Sequence, residues 1–296
     1  MNEMVSVIAP AYNHERYIEA ALDSIKNQTY QNKELIIIDD CSKDATPQII
    51  EEYIKRKDVC DAFPGGIRYI SHAENMNAHR TINQGIDFSK GKYIAVINTD
   101  DFFEVNRLEE MLKTMEKANA RFAFSRVKIV DSYGSVKEHE PFENMRRKIE
   151  IYPTVNLVLA VENVGISTGN YMFEKSLYYE VGGFDAKYHF IHDWDFILKV
   201  ALITEPCYVD TTSYIYRFHD TNTLKQIDES TQMRDEKDWE VRNVLENYLK
   251  KIMLRQVDNK MIPSNKVWDY FFNRKEICFA SSIWNEARIK NKNNIE

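Results

Sequence analysis

The first 100 residues alternate short, β-branched apolar runs with segments of helical periodicity. MVSVIAPAYN, KELIIIDDCS, GGIRYIS and KYIAVINTDD are the apolar runs, and each is predicted to be a strand. Strands that alternate with helices form a parallel, doubly wound sheet flanked by helices. Ligands bind such sheets at the carboxyl ends of the strands. The sequence therefore predicts an α/β fold with a Rossmann-like, mostly parallel sheet and a site at that edge.

Two of these predicted strands end in a pair of adjacent carboxylates. Asp39 and Asp40 close the second strand, and Asp100 and Asp101 close the fourth. Adjacent carboxylates at the end of a buried strand repel each other and lose hydration. A divalent cation bound at the shared edge would offset both effects. The two pairs therefore indicate a ligand site that uses a cation.

Charge and cysteine usage limit the function classes. The chain has 296 residues and a formal net charge of -7, which argues against a nucleic-acid binder with a general basic surface. A phosphorylated small molecule stays compatible, because one cation can reverse the local field. The four cysteines are widely spaced without a CxxC pair, as expected in a reducing cytoplasm. No signal core or membrane-length apolar run is present, so a cytoplasmic protein, or one peripheral to the inner membrane face, is predicted.

The pattern changes after about residue 120. ARFAFSRVKIVDSYG predicts two strands with a turn at Tyr133-Gly134, and RRKIEIYPTV predicts a loop or edge segment. A helix is expected to start near Asp193, and a later strand ends at His219. Helical periodicity covers about residues 228–290. Its aromatic stripe, a core or a homodimer face, consists of Trp268, Phe271, Phe272 and Trp284.

Five motifs occur in an order that resembles the inverting glycosyltransferases of family 2, which have the GT-A fold. They are VSVIAPAYN, NQTYQNKELIIIDDCSKDAT, ENMNAHRTINQGIDFSKGKYIAVINTDD, VGGFD with HDWDFILKV, and YRFHDTNT. The resemblance covers about residues 4–222. It implies a GT-A domain over 1–222, with a nucleotide-binding half over 1–101 and an acceptor half over 102–222. Residues 223–296 would be a helical C-terminal extension.

The resemblance implies a reaction and its partners. A sugar would move from a nucleotide-diphosphate sugar, typically a UDP-sugar, to a hydroxyl of a glycan or lipid-linked glycan, in bacterial surface polysaccharide or glycan synthesis. Mn²⁺ or Mg²⁺ would stabilise the leaving diphosphate. Asp100 is the implied direct metal ligand, Asp101 beside it is implied as a further metal contact, and His219 would complete the coordination sphere. Asn98 stands where the metal-binding motif usually has its first Asp.

The same resemblance assigns the nucleotide contacts. Asp39 takes the place of the residue that accepts a hydrogen bond from the base, and Glu15 would contact the ribose. Asn77 stands where the family has Gly. The remaining implied contacts to the base, ribose or phosphates are Pro10, Ala11, Tyr12, Asn13, Asn75, Arg80, Asn98, Thr99 and Asp100.

The catalytic base is placed on the predicted helix of HDWDF. Asp193 matches the family's base, and Asp195 is the second candidate. A helix that starts at Asp193 would lower the pKa of this carboxyl through the helix dipole.

Structural and functional alternatives remain at this stage. Asp39 and Asp40 could start a turn, Asp101 could cap the helix of VNRLEEMLKTM, and Tyr12 could be core packing. A nucleotidyltransferase would need a Gly-rich phosphate loop after the first strand, and PAYNHERY has no glycine. A member that binds nucleotide-sugars without catalysis is the other alternative, favoured only by Asn98.

Overall fold

The first half of the chain forms the predicted parallel sheet. The computed structural model describes residues 3–220, 222, 225, 227 and 230–257. Four parallel strands lie in the order β3-β2-β1-β4. Every residue of β2 is buried, as expected for a central strand covered on both faces. These strands are β1 (Val5–Ala11), β2 (Lys33–Asp39), β3 (Ile67–Ser71) and β4 (Tyr93–Val96).

Helices connect these strands. Helix α2 begins at Thr46 with Pro47 in its first turn, where proline is favoured. One hydrophobic core forms around α1, α2 and the later helix Arg107–Ala118, and a second core forms on α4 with later helices. The connecting helices are α1 (Ile18–Lys26), α2 (Thr46–Tyr53), α3 (Lys57–Asp61) and α4 (Ala78–Phe88).

The second half extends the same sheet with mixed strand directions. Strand β8 inserts antiparallel between β4 and β6, whereas β6 and β9 are parallel. Strand β5 pairs antiparallel with β9, and β7 with β6. The parallel arrangement thus holds for the first half, and the second half is mixed. These strands are β5 (Phe102–Phe103), β6 (Phe122–Asp131), β7 (Val136–Lys137), β8 (Tyr171–Glu174) and β9 (Cys207–Phe218).

Six further helices complete the described fold. The predicted helix near Asp193 is present, and it follows a turn in which Gly182 and Gly183 both have positive φ. The helices are α5 (Arg107–Ala118), α6 (Glu140–Ile151), α7 (Val155–Leu159), α8 (Lys175–Val181), α9 (His192–Ala201) and α10 (Thr231–Val257), and a 3-10 turn covers Thr168–Asn170.

Two local predictions fare differently. The turn at Tyr133-Gly134 is confirmed, and Gly134 has a φ of 88°. The loop predicted for RRKIEIYPTV is wrong, because most of it belongs to α6. Pro141 lies in the first turn of α6, and Arg146 pairs with Glu143 and Glu150 one turn away on either side. These local features stabilise a helix in a segment whose apolar pattern had predicted a loop or an edge segment.

The last described helix is part of the domain core. Val244, Leu245 and Tyr248 of α10 are buried in the same cluster as the apolar face of α9. The predicted aromatic stripe at residues 268–284 lies outside the described residues, so the dimer face stays a prediction. Within the described part of the chain, none of the helices has the length and apolarity needed to cross a membrane.

Candidate active site

The strands β1, β2 and β4 end at one edge of the sheet, as the acid pairs predicted. Ala11 at the end of β1 lies opposite Asp39 at the end of β2, and Ile8 lies opposite Val96 of β4. Residues 98–101 follow β4 directly. We call Asp39, Asn98, Thr99 and Asp100 the strand-end edge.

Asp39 is buried and has one oxygen unused. Its Oδ2 accepts hydrogen bonds from the Ser42 amide at 3.2 Å and the Ser71 hydroxyl at 3.4 Å. Its Oδ1 is buried without a partner among the described residues. A buried oxygen without a partner is costly, so this atom is suited to a hydrogen-bond donor of a ligand.

Asp40 has a structural role instead. Its Oδ1 lies 2.7 Å from His72 Nδ1 and accepts from the Met76 amide at 2.7 Å. These bonds tie β2 to the loop before α4. The two adjacent acids therefore divide into one with an unused oxygen and one that fixes the loop.

Asp100 repeats the pattern of Asp39. Its Oδ2 lies 3.1 Å from His219 Nε2 and 3.9 Å from His14 Nε2, and its Oδ1 is buried without a partner among the described residues. Burial acts to raise the pKa of Asp100, but His14 and His219 lower it below its ordinary value. Asp100 is therefore the charged acid at this edge.

Asp101 differs from its neighbour. Its Oδ2 accepts from the Tyr214 hydroxyl, and its Oδ1 accepts from the Arg217 amide at 2.7 Å. Burial and the charge of Asp100 raise the pKa of Asp101 well above its ordinary value. Protein donors on β9 therefore occupy both oxygens, and the geometry favours an anchoring role over the expected metal contact. It is not a helix cap, because α5 begins only at Arg107.

The backbone around Asn98 is held by polar contacts to other segments. Asn98 donates to the Ser167 hydroxyl at 2.8 Å, and Thr99 donates to the Pro10 carbonyl at 2.9 Å. The Thr99 hydroxyl also lies 2.7 Å from His14 Nδ1. His14 was missed from the sequence, where it is only a polar residue after β1. Its position between Thr99 and Asp100 makes it part of the site.

The loop after β1 presents one aromatic ring and two bracing side chains. Tyr12 is 43% exposed, so it is not core packing. Asn13 has a φ of 56°, and its side chain accepts from the Lys43 amide at 2.7 Å. Glu15 accepts from the Ala45 amide at 2.9 Å. Asn13 and Glu15 thus shape the loop at 42–45, and Tyr12 is the residue left to face a ligand.

The loop before α4 keeps a glycine-like shape. Asn77 has a φ of 70° and a ψ of 155°, a region that is essentially restricted to glycine, so this backbone is strained. Asn75 donates to the Asp40 carbonyl at 3.3 Å and accepts from the Asn77 amide at 3.1 Å. Arg80 lies exposed in the first turn of α4. Asn75 therefore braces this loop, whereas Arg80 is accessible.

The second part of the site lies at the start of α9. Asp193 is 8% exposed, and its Oδ2 accepts from Asn163 at 2.8 Å while its Oδ1 accepts from the Trp194 amide at 2.7 Å. We call Asn163 and Asp193 the α9 face. The expected lowering of the pKa of Asp193 is wrong, because burial raises it despite these bonds and the nearby His192.

Asp195 and Trp194 serve the scaffold. Asp195 forms an ion pair with Lys199 at 2.7 Å, and Lys199 also donates to the Gly183 carbonyl at 2.7 Å. Trp194 donates from its indole nitrogen to the Leu159 carbonyl at 2.8 Å. Asp195 is thus paired with Lys199 within α9, which leaves Asp193 as the better candidate base.

Residues 163–170 connect the two parts of the site. Asn163 contacts Asp193, and Ser167 contacts Asn98. Between them, Ile166 has a φ of 72°, which is strained for a β-branched residue. Burial raises the pKa of Tyr216, and the charges of Asp101, Asp100 and Asp193 act in the same direction. Residues 163–170 thus contact both the strand-end edge and the α9 face.

Few side chains in the described part of the chain are placed to bind a metal ion. No cluster of three or more His, Cys, Asp or Glu side chains in the described ranges is arranged to hold a metal ion. Asp100 and His219 are the pair with suitable atoms, a carboxylate oxygen and an imidazole nitrogen.

Comparison with known sequences places this geometry in a family. The protein-family model described as "Glycosyl transferase family 2" matches residues 6–182 of the chain. The putative teichuronic acid biosynthesis glycosyltransferase TuaG of Bacillus subtilis is 33% identical over 122 residues, which are 41% of this chain and 46% of TuaG. The chain spans less than half the length of TuaG and of the putative glycosyltransferase EpsH of Bacillus subtilis, which it also matches.

Two solved structures are similar in fold. Staphylococcus aureus TarS 1-349 in complex with UDP-GlcNAc is 18% identical, with a TM-score of 0.59, over 83% of this chain and 72% of that one. The mannosyltransferase PcManGT from Pyrobaculum calidifontis, in complex with GDP-Man and Mn²⁺, is 14% identical, with a TM-score of 0.56, over 100% of this chain and 89% of that one.

The predicted fold class is confirmed by these similarities together with the mixed sheet and its flanking helices: it is the GT-A type. The family match covers more than half of the chain and spans the strand-end edge. The chain belongs to glycosyl transferase family 2.

Proposed function

We propose that this glycosyltransferase moves a sugar from a UDP-sugar to an acceptor hydroxyl, with inversion and with the help of Mn²⁺ or Mg²⁺. One observation supports the proposal most. Asp39 and Asp100 each keep a buried carboxylate oxygen without a partner among the described residues, at one edge of the sheet. One oxygen suits a base donor and the other a cation on a diphosphate, so together they fit a nucleotide diphosphate.

The base preference follows from the acceptor character of Asp39. Uracil, thymine and guanine each carry a ring N–H that can donate to a carboxylate, whereas the corresponding cytosine nitrogen is itself an acceptor. Asp39 Oδ1 therefore favours UDP, dTDP or GDP over CDP. Tyr12 exposes 43% of its surface at the end of β1, where it can stack on the base. The family resemblance favours UDP among the three.

The residues present fit a divalent cation. Asp100 is kept charged by neighbouring histidines and has an unused buried oxygen, and His219 lies beside it. We assign these two side chains as its protein ligands, with the donor diphosphate supplying oxygens. When bound, the cation would neutralise charge on the leaving diphosphate.

Asp193 is the proposed general base. Burial raises the pKa of this carboxyl, which brings its basicity closer to that needed near neutral pH. Asn163 and the Trp194 amide hold both of its oxygens in place. The acceptor oxygen forms a bond to the anomeric carbon as the bond to the diphosphate breaks, and its proton passes to Asp193. Attack opposite the leaving group inverts the anomeric centre.

The acceptor is proposed to be a bacterial surface glycan or its lipid-linked precursor. TuaG is named as a putative glycosyltransferase of teichuronic acid biosynthesis, and it is similar over part of this chain. A lipid-linked acceptor would also bring the protein to the inner membrane face. The predicted homodimer through the C-terminal helices belongs to the same proposal.

A nucleotide titration tests the donor assignment. We expect calorimetry of the purified protein with UDP, GDP, dTDP and CDP, each with Mn²⁺ or with EDTA, to show metal-dependent binding of UDP and none of CDP. Asp39→Asn provides a matched variant, because the amide keeps the shape of Asp39 but changes its hydrogen bonding. It should weaken UDP binding.

Other results would favour another function. A folded protein that binds none of the four nucleotides would contradict the donor assignment. Metal-dependent binding without sugar transfer to any acceptor would indicate the non-catalytic alternative. Release of pyrophosphate from a nucleoside triphosphate would indicate the nucleotidyltransferase.

A further inference from the structure

The carboxylate of Glu240 holds the chain that leads into α9. Its Oε1 accepts from the His189 amide at 2.8 Å, and its Oε2 accepts from the Phe190 amide at 2.9 Å and the Ile191 amide at 3.2 Å. Glu240 is 4% exposed, although it lies on a helix far along the chain. Three backbone donors on one buried carboxylate are charge-assisted hydrogen bonds, which are stronger than neutral ones.

The bonds of Glu240 belong to a larger set of contacts between α10 and residues 187–191. Asn243 lies one turn after Glu240 and accepts from Lys187 Nζ at 2.7 Å and from the Tyr188 hydroxyl at 3.1 Å. Val244 and Leu245 bury the next positions of this face in the core shared with α9. One face of α10 therefore fixes residues 187–191 by polar contacts and packs against the domain by apolar ones.

The segment that Glu240 holds ends two residues before Asp193. Asp195 donates its amide to the Ile191 carbonyl at 3.0 Å, so the first turn of α9 continues directly from the held residues. Movement at 189–191 would rotate the first turn and displace the Asp193 carboxylate from Asn163. Displacement of a catalytic group by about 1 Å can lower a rate by about 100-fold.

We infer that Glu240 is a positioning residue for the transfer reaction. Helix α10 would then take part in the reaction by orienting the base on the acceptor side, and would not be only a C-terminal extension. The inference depends on the proposed function, since it assigns a role relative to the base Asp193. It concerns orientation of the base and does not involve donor binding, because Glu240 makes no contact with the strand-end edge in the described structure.

The experiment compares three variants of the full chain. Glu240→Gln keeps the size but replaces one acceptor oxygen with an amide group that cannot accept. Glu240→Asp keeps the charge with a shorter reach. Glu236→Gln is the matched control, because Glu236 is an exposed acid on the same helix whose side chain bonds to Gln232. The measurements are Mn²⁺-dependent UDP affinity, kcat and KM for UDP release from UDP-GlcNAc as the probe donor with water as the acceptor, and hydrogen exchange of peptides covering 187–198 and 93–103.

We expect Glu240→Gln to lower kcat by about 10- to 100-fold with KM and UDP affinity within about two-fold of the wild type. Amide exchange should accelerate in 187–198 and stay unchanged in 93–103. Glu240→Asp should recover part of kcat, and Glu236→Gln should match the wild type. This separation of kcat from KM would not result from general destabilisation.

Two results would overturn the inference. Wild-type kcat in Glu240→Gln would do so, as would equal losses of kcat and UDP affinity, which would indicate only a structural role. Failure of the proposed function gives a different result: a wild-type protein that binds no UDP, or that binds it without releasing UDP from the sugar donor, overturns both together.

Discussion

The strand-end edge and the α9 face are built in different ways. The edge takes Asp39 and residues 98–100 from the ends of β2 and β4, which flank β1 in the sheet, so the sheet itself places them. The face brings Asn163 from a strained loop to Asp193 at the start of a helix, and that helix is held by Glu240 from α10. The edge should therefore tolerate local changes in distant segments, whereas the face should be sensitive to them.

The largest expected effect is loss of the base on the α9 face. Asp193→Asn keeps the size and the Trp194 contact but removes the proton acceptor. We expect transfer to fall by about 10²- to 10⁴-fold, the usual contribution of general base catalysis, with UDP affinity unchanged. Single-turnover transfer and calorimetry on the same preparation measure the two quantities.

Asp195→Asn is the matched control for Asp193, since it lies on the same helix turn and is paired with Lys199. Asp195→Asn should lower the free energy of unfolding and have little effect on the rate of sugar transfer. A larger loss of transfer in Asp195→Asn than in Asp193→Asn would exchange the two assignments.

Two histidines, His79 and His72, should change the stability of the fold with pH in opposite directions. Burial, with His192 and His189 nearby, lowers the pKa of His79 from 6.5 to about 4. The unfolded chain binds this proton more readily, so stability is lost as the pH falls from 6.5 towards 4, by at most about 3 kcal/mol. His79→Gln should flatten this acid limb in denaturant titrations at several pH values.

His72, beside the strand-end edge, has the opposite sign. Burial acts to lower its pKa, but hydrogen bonds to Asp40 and Gln84 outweigh it and raise the pKa above 6.5. Its contribution is fully present below pH 6.5 and is lost as the pH rises through the folded value. His72→Gln should therefore change the neutral side of the profile. Equal acid limbs in wild type and His79→Gln would contradict the first assignment.

A second comparison contrasts Asp100 of the strand-end edge with its neighbour Asp101. Asp100 faces His14 and His219 with an unused oxygen, whereas Asp101 is engaged by Tyr214 and Arg217. We expect Asp100→Ala to weaken Mn²⁺-dependent UDP binding by about 10- to 100-fold. That range is typical for losing support of a bound metal.

Asp101→Asn is the contrast to Asp100→Ala. Its raised pKa favours the neutral carboxyl, so a neutral amide of the same shape should leave UDP affinity within a few-fold. Calorimetry with Mn²⁺ and with EDTA separates the metal-dependent part. If Asp101→Asn lost metal-dependent binding as fully as Asp100→Ala, the anchoring role of Asp101 would be wrong.

These differences explain what the sequence could and could not predict. The parallel strands and Asp39 and Asp100 at their ends are readable, because strand ends meet at one edge whatever the connecting segments do. The partners of Asp40 and Asp101 could not be predicted, because they lie in remote segments, at His72 and Arg217. His14 carried no signal beyond its place after β1.

The α9 face was the harder part to predict. Asp193 itself was found through a motif, but the expected direction of its pKa was wrong, because burial is a tertiary effect that helix position does not report. Asn163 is 30 residues away from Asp193, and Glu240 lies in a helix that resembled a separate extension. Short, four-residue β8 was missed because its neighbours β4 and β6, rather than its own pattern, define it.

The smallest expected effect tests the link between the strained loop and the base. Asn163 donates to Asp193 Oδ2 at 2.8 Å and so favours the charged carboxylate. Asn163→Ala removes that bond, which is worth about 1 kcal/mol, and should raise the pKa of Asp193 further. The acid limb of the kcat profile should then move to higher pH, with the donor KM unchanged. Tyr171→Phe removes a hydroxyl that lies 3.4 Å from the Asp193 carbonyl and 3.5 Å from Asn163 Oδ1 but bonds to neither carboxylate oxygen of Asp193, so it should leave that limb in place. If both variants move the limb equally, packing around α9, and not the Asn163 hydrogen bond, sets the basicity of Asp193.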